Sequence, residues 1–157
     1  MAAELYIIDG DNVCHLRGGS DDYQRAREQL VAEVAGYMAQ LGIDAFVVLD
    51  GHGRSRSIGR TQLTYSDRET ADTVIERLAF RHAAGREVTV VSSDAVLRHV
   101  AQRGGVQAMS AREFIDRLVA APRERIDAPP TSRDRRLLGD ALDPEVRAAL
   151  ERMRRGE

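Results

Sequence analysis

Three short apolar runs, each closing on an aspartate, limit what this chain can fold into more than any other feature. Leu5-Tyr6-Ile7-Ile8 leads into Asp9, Ala45-Phe46-Val47-Val48-Leu49 into Asp50, and Val88-Thr89-Val90-Val91 into Ser92-Ser93-Asp94. Runs this short and this apolar fit strands covered on both faces, as in a parallel sheet. Helical spacing fills the intervals. Leu30, Val34, Met38 and Leu41 mark a helix over 21–41, opened by Asp21 and Asp22 and stopped by Gly42. A second helix opens on the capping-box pattern Ser66-Asp67-Arg68-Glu69 and runs to Ala84, and a short one follows Asp94 to Arg103. Another capping box, Ser110-Ala111-Arg112-Glu113, starts a helix that ends near Pro122. Cys14–Ser20 reads as a turn, Gly51–Thr61 as a surface loop, and Leu63–Tyr65 and Val106–Met109 as brief strands. Strands alternating with helices predict a three-layer, Rossmann-like α/β fold with a mostly parallel central sheet.

The length of 157 residues suits one domain, placed at 1–121. Residues 122–143, with Pro129-Pro130 and many charges but little to bury, read as a linker. Asp143-Pro144-Glu145 then opens a helical tail over 144–157.

Composition removes several chemistries. The formal net charge of −2 gives no global nucleic-acid signature, so any basic surface is local. Every basic side chain is arginine, which excludes Schiff-base catalysis and the lysine of a phosphate-binding loop. His15, His52, His82 and His99 lack zinc-ligand spacing. The one cysteine, Cys14, reads as a small buried hydrophobe. With no disulfide framework, no signal-peptide pattern before the first strand and no membrane-length apolar run, the expected location is the cytoplasm.

The acids carry the chemistry. Parallel strands end on one edge of their sheet, where open α/β sheets bind ligands, so Asp9, Asp50 and Asp94 are expected to converge. On the following helix Glu69, Asp72 and Glu76 fall within about 60° of one another, and Asp72 borders the apolar face. Two carboxylates about 4 Å apart repel by roughly 4 kcal/mol at an effective dielectric near 20. Either some acids of such a cluster are protonated, or a hard cation, magnesium or manganese, is held among Asp9, Asp72, Asp94 and Asp50. With such an ion, water can be activated for in-line displacement at a phosphate, and Asn12 is placed to orient that water or the phosphate. Other roles remain open for most of these residues. Glu69 fits a capping box, Asp94 an N-cap, Asp50-Gly51 a turn, and Asp11 a brace for its loop. Arg54, Arg56, Arg60 and Arg68, just beyond Asp50, are candidates to hold an RNA backbone.

Ile8-Asp9-Gly10-Asp11-Asn12-Val13, Glu69-Thr70-Ala71-Asp72, Val91-Ser92-Ser93-Asp94 and Gly105-Val106-Gln107-Ala108-Met109-Ser110-Ala111 follow one another as in NYN-domain ribonucleases. Over about residues 4 to 120 the chain most resembles the YacP-like branch. The resemblance implies a PIN-like fold and metal-dependent RNA cleavage, with Asp9, Asn12, Asp72 and Asp94 as catalytic residues. It also implies messenger RNA as substrate, cut internally, with the ribosome as a setting. Asp11 stands where that branch often has tyrosine, and Arg98 where some PIN relatives carry a further acid. Two other readings compete. Asp9-Gly10-Asp11 fits the nucleophile and proton donor of a haloacid-dehalogenase-like phosphatase, although the missing lysine opposes it. A non-catalytic RNA-binding protein could also use the same fold.

Overall fold

In a computed structural model, strand β1 (Ala3–Asp9) lies inside a six-stranded sheet of order β3-β4-β2-β1-β5-β6. Residues 3–18 and 21–126 are described, together with positions 152, 154 and 156. β2 (Asp44–Leu49) and β5 (Arg86–Val91) flank β1 in parallel, with Ile7 opposite Phe46 on one side and Val90 on the other. β4 (Thr61–Tyr65) continues the sheet beyond β2, and β6 (Gln107–Met109) beyond β5, both parallel. The antiparallel edge strand is β3 (Arg56–Ile58), paired to β4.

Alternation along β1 builds the two core layers. Leu5 and Ile7 pack with Val74, Ile75 and Leu78 of α3 (Ala71–Ala83) and with Leu97 of α4 (Ala95–Arg103). Tyr6 points the other way, with its ring centroid 6.3 Å from that of Phe114 in α5 (Ala111–Ile126). α2 (Tyr23–Leu41) contributes the buried Leu30, Val31, Val34 and Met38. The expected three-layer, mostly parallel α/β fold is thus present. Contacts divide the chain into units Met1–Val119 and Ala120–Glu157, and the whole sheet belongs to the first. The predicted linker and tail lie almost wholly outside the described residues.

Four local expectations are corrected. The run after β1 is a helix, α1 (Gly10–Arg17), because Asp9 acts as an N-cap, its Oδ1 accepting the Asn12 N–H at 3.2 Å. The Gly51–Thr61 segment contains β3, turned back by a two-residue loop with Gly59 first and at φ 59°, a conformation that suits glycine. α3 starts four residues later than the Ser66 pattern suggests, capped by Thr70, whose Oγ1 accepts the Thr73 N–H at 3.1 Å. The Ser66 hydroxyl instead accepts the Gly51 N–H. α5 continues past Pro122 to Ile126. The Ser110 half of its capping box does form, with Ser110 Oγ accepting the Glu113 N–H at 3.0 Å, while the Glu113 carboxylate pairs with Arg117.

One glycine is required by packing. A Cβ on Gly10 would lie 2.6 Å from Leu49 Cδ2, 2.9 Å from Val47 Cγ1 and 3.2 Å from the Val48 carbonyl oxygen. All three neighbours belong to the buried centre of β2, so Gly10 lets α1 sit directly against that strand. Gly10→Ala is expected to cost about 1–3 kcal/mol by overpacking, read from urea denaturation; an unchanged midpoint would show that β2 yields freely.

Candidate active site

The chain places β2 and β4 to one side of β1, then crosses through α3 to place β5 and β6 on the other. The crevice at such a reversal, beyond the carboxyl ends of the strands, is where open α/β sheets bind ligands. Asp9 ends β1 at that crevice, and Asp94 caps α4 just past β5. Asn12 joins the two sides, since its Oδ1 accepts both the Ser93 N–H at 2.5 Å and the Ser93 hydroxyl at 2.7 Å. A backbone N–H can only donate, so this bond fixes the amide with its NH2 group turned away from Ser93.

Asp9 is 7% exposed and has no cationic partner among the described residues. Burial pushes its carboxyl up to about 6; the Asn12 N–H opposes that rise, and the charges of Asp72, Asp11 and Asp50 add to it. Asp72, in the first turn of α3, is also shifted upward, by partial burial and then by Asp94, Asp50 and Glu76. Three sequence-predicted acids therefore share a field with Asp9, through Asp72 in the case of Asp94. Asp94 spends Oδ1 on capping α4, accepting from Val96 N at 2.9 Å and Leu97 N at 3.2 Å. Its N-cap reading holds, and its second oxygen makes no hydrogen bond among the described residues. Asp50 accepts from Ala71 N at 2.9 Å and Ser66 Oγ at 3.4 Å, so it brackets the end of β2 to the start of α3.

Asp11 does something different. Its carboxylate accepts from Arg27 Nε at 2.8 Å, Arg27 Nη2 at 2.9 Å, the Tyr23 hydroxyl at 2.5 Å and Asp50 N at 2.6 Å. Burial alone would raise its pKa, but the Arg27, Tyr23 and Asp50 hydrogen bonds outweigh it and hold the group below the ordinary carboxylate value. Asp11 is a brace between α1, α2 and the end of β2. Sequence reasoning missed its partners Tyr23 and Arg27, and it missed Ser93. The i,i+4 spacing of Tyr23 and Arg27 shows that they share a helix face, but nothing local tells what that face meets.

The remaining candidates are scattered. Glu69 faces outward in an ion pair with Arg77 at 2.7 Å. Arg60 lies at the opposite edge, where β4 begins, paired with Asp44 at 3.2 Å. Arg68 lies in the turn after β4, close to His52 and Glu69. Arg54 and Arg56 line a cleft of about 260 Å³ that also contains Arg27. Cys14 is buried.

Among the described residues no three acids, histidines or cysteines stand close enough to enclose a metal ion. Asp9 feels the charge of Asp72, and Asp72 that of Asp94, so the three are linked pairwise by charge without closing a cage. Magnesium and manganese need no closed cage, since they take one or two carboxylates and keep several waters. No described helix is long and apolar enough to cross a membrane.

The fold is similar to that of Rae1 (YacP) from Bacillus subtilis. That crystal structure matches with a TM-score of 0.66 and 24% identity over 97% of this chain and 95% of that one. A tryptophan-to-leucine mutant of it gives 0.66 and 22% over 94% and 98%. These likenesses show a shared α/β fold. The chain belongs to the YacP-like NYN domain family, whose model matches residues 6–155. The match continues past residue 120, where the motif resemblance stops. Among curated proteins there is no match.

Proposed function

We propose that this protein is a metal-dependent endoribonuclease that hydrolyses phosphodiester bonds of messenger RNA, with the ribosome as a setting and the cytoplasm as its location. The observation that carries the nuclease reading is Asp9: a buried carboxylate at the switch point of the sheet, set among other acids and given no cation by the described residues. The substrate class rests on the family resemblance.

Asp9, Asp72 and Asp94 would hold magnesium or manganese, while Asp50 sets the start of α3 and so the position of Asp72. When bound, the ion supplies activation of water and neutralisation of the charge that builds on the phosphate. Asn12, locked by Ser93, offers its NH2 group to a phosphate oxygen or to the attacking water. Asp11 speaks against the phosphatase alternative. That chemistry needs it as a proton donor, yet its carboxylate is occupied by Arg27, Tyr23 and Asp50 N and stays ionised.

The test is cleavage of a labelled single-stranded RNA with manganese. Cleavage is expected to stop with EDTA and to fall roughly 10²–10³-fold in Asp9→Asn, as several kcal/mol of transition-state stabilisation disappears. Unmodified protein that binds the RNA without cutting it would return the chain to the class of non-catalytic binders.

A further inference from the structure

The acids do not account for the cleft between α2 and the hairpin of β3 and β4. Its floor is apolar: Val31, Leu49 and Leu63 are each buried. The Tyr65 ring lines it, and the Gly53 backbone lies so close to that ring that an added Cβ would meet three of its carbons. Tyr65 thus brings an aromatic ring to the cleft, with the Gly53 backbone packed against it. Arg54 and Arg56 also line the cleft, and neither has an ion-pair partner among the described residues. Arg17, Arg27, Arg60, Arg77, Arg86 and Arg117, by contrast, are all bound to carboxylates. Gln24 and Glu28 form the rim on α2.

We propose that this cleft is a nucleotide subsite, taking one nucleotide of a single-stranded RNA beside the bond to be cut. The base packs on Tyr65 and the apolar floor, with its polar edge towards Gln24 and Glu28, and its phosphate meets Arg54 and Arg56. Unpaired guanidinium groups next to an aromatic and apolar surface match the two halves of a nucleotide, one ionic and one flat. A base in a duplex is already paired and stacked, whereas an unpaired base is free to lie on such a surface, so a single strand is the fit. Position supports the same assignment. Leu49 in the floor directly precedes Asp50, and Arg27 in the wall grips Asp11. The inference rests on the ribonuclease reading, since it places the cleft beside a scissile bond.

Binding of a short fluorescent single-stranded RNA to the full chain carrying Asp9→Asn tests it without turnover. Adding Tyr65→Ala is expected to weaken binding roughly tenfold with the salt dependence unchanged, because stacking rather than charge is lost. Tyr65→Phe should bind as the parent does. Gln24→Glu, at an exposed position on α2, puts a negative charge on the cleft rim and should weaken binding of an anionic strand while leaving the fold intact. Undiminished affinity in both Tyr65→Ala and Gln24→Glu would overturn the subsite and leave the nuclease assignment standing. Tyr65- and Gln24-dependent binding by a protein that cuts nothing with manganese would keep the cleft as an RNA site and overturn the nuclease. A parent that binds no RNA would overturn both.

Discussion

Replacing Asp11 with alanine lowers the stability of this protein by about 3–5 kcal/mol, the usual cost of leaving one member of a buried ion pair alone. Arg27 would lose both of its carboxylate contacts, with only 16% of its side chain exposed to take up water in their place. The Tyr23 hydroxyl and the Asp50 N–H would lose their acceptor in the same step. For a chain of this length the melting temperature should fall by roughly 10 °C. Asp11 is also a source of acid sensitivity. Its folded pKa is lowered, so its contribution is present at neutral pH and lost as the pH falls and the carboxyl takes up a proton. Calorimetry of the alanine variant decides the matter: a loss below about 1 kcal/mol would mean that water replaces the carboxylate without difficulty.

Asp9→Asn is expected to move stability in the opposite direction. A carboxyl that titrates near 6 instead of 3.8 costs the folded state up to about 3 kcal/mol at pH 7. Between those two values the unfolded chain has already released the proton that the folded chain retains, so stability falls as pH rises across that window. Asparagine keeps the capping oxygen for Asn12 N–H and removes the charge. In EDTA the variant should therefore melt higher than the parent at pH 7, and the two should converge below about pH 4. Manganese should raise the melting temperature of the parent and leave the variant unmoved. A variant that melts lower than the parent at pH 7 would show that the Asp9 charge is already compensated. Together with the lost cleavage, a higher melting temperature would mark Asp9 as a residue retained for chemistry at the expense of stability.

Most of the architecture was legible because burial on both faces leaves a plain mark. Leu5–Ile8 and Val47–Leu49 could be neither helix surface nor loop, and the acid after each run marked the same sheet edge. Errors arose where one local signal serves two structures. Asp9-Gly10-Asp11-Asn12 has the composition of a turn and also that of an N-cap, and the tertiary fit of Gly10 against Val47 and Leu49 selects the helix. Ser66 has the right spacing for a capping box, but Gly51 N competes for its hydroxyl from another strand end. The sequence already set Asp9 apart and offered Asp11 as a brace, but what occupies Asp11 was not legible. Tyr23 and Arg27 are brought in by the packing of α2 rather than by anything adjacent in the chain.

The bond from Ser93 to Asn12 spans 81 positions of sequence. An incomplete polypeptide that stops before β5 carries Asp9 but has neither the partner that orients Asn12 nor Asp94. During synthesis the pocket is therefore completed only after well over half of the chain has been made, so its two halves depend on the last parallel strands to join.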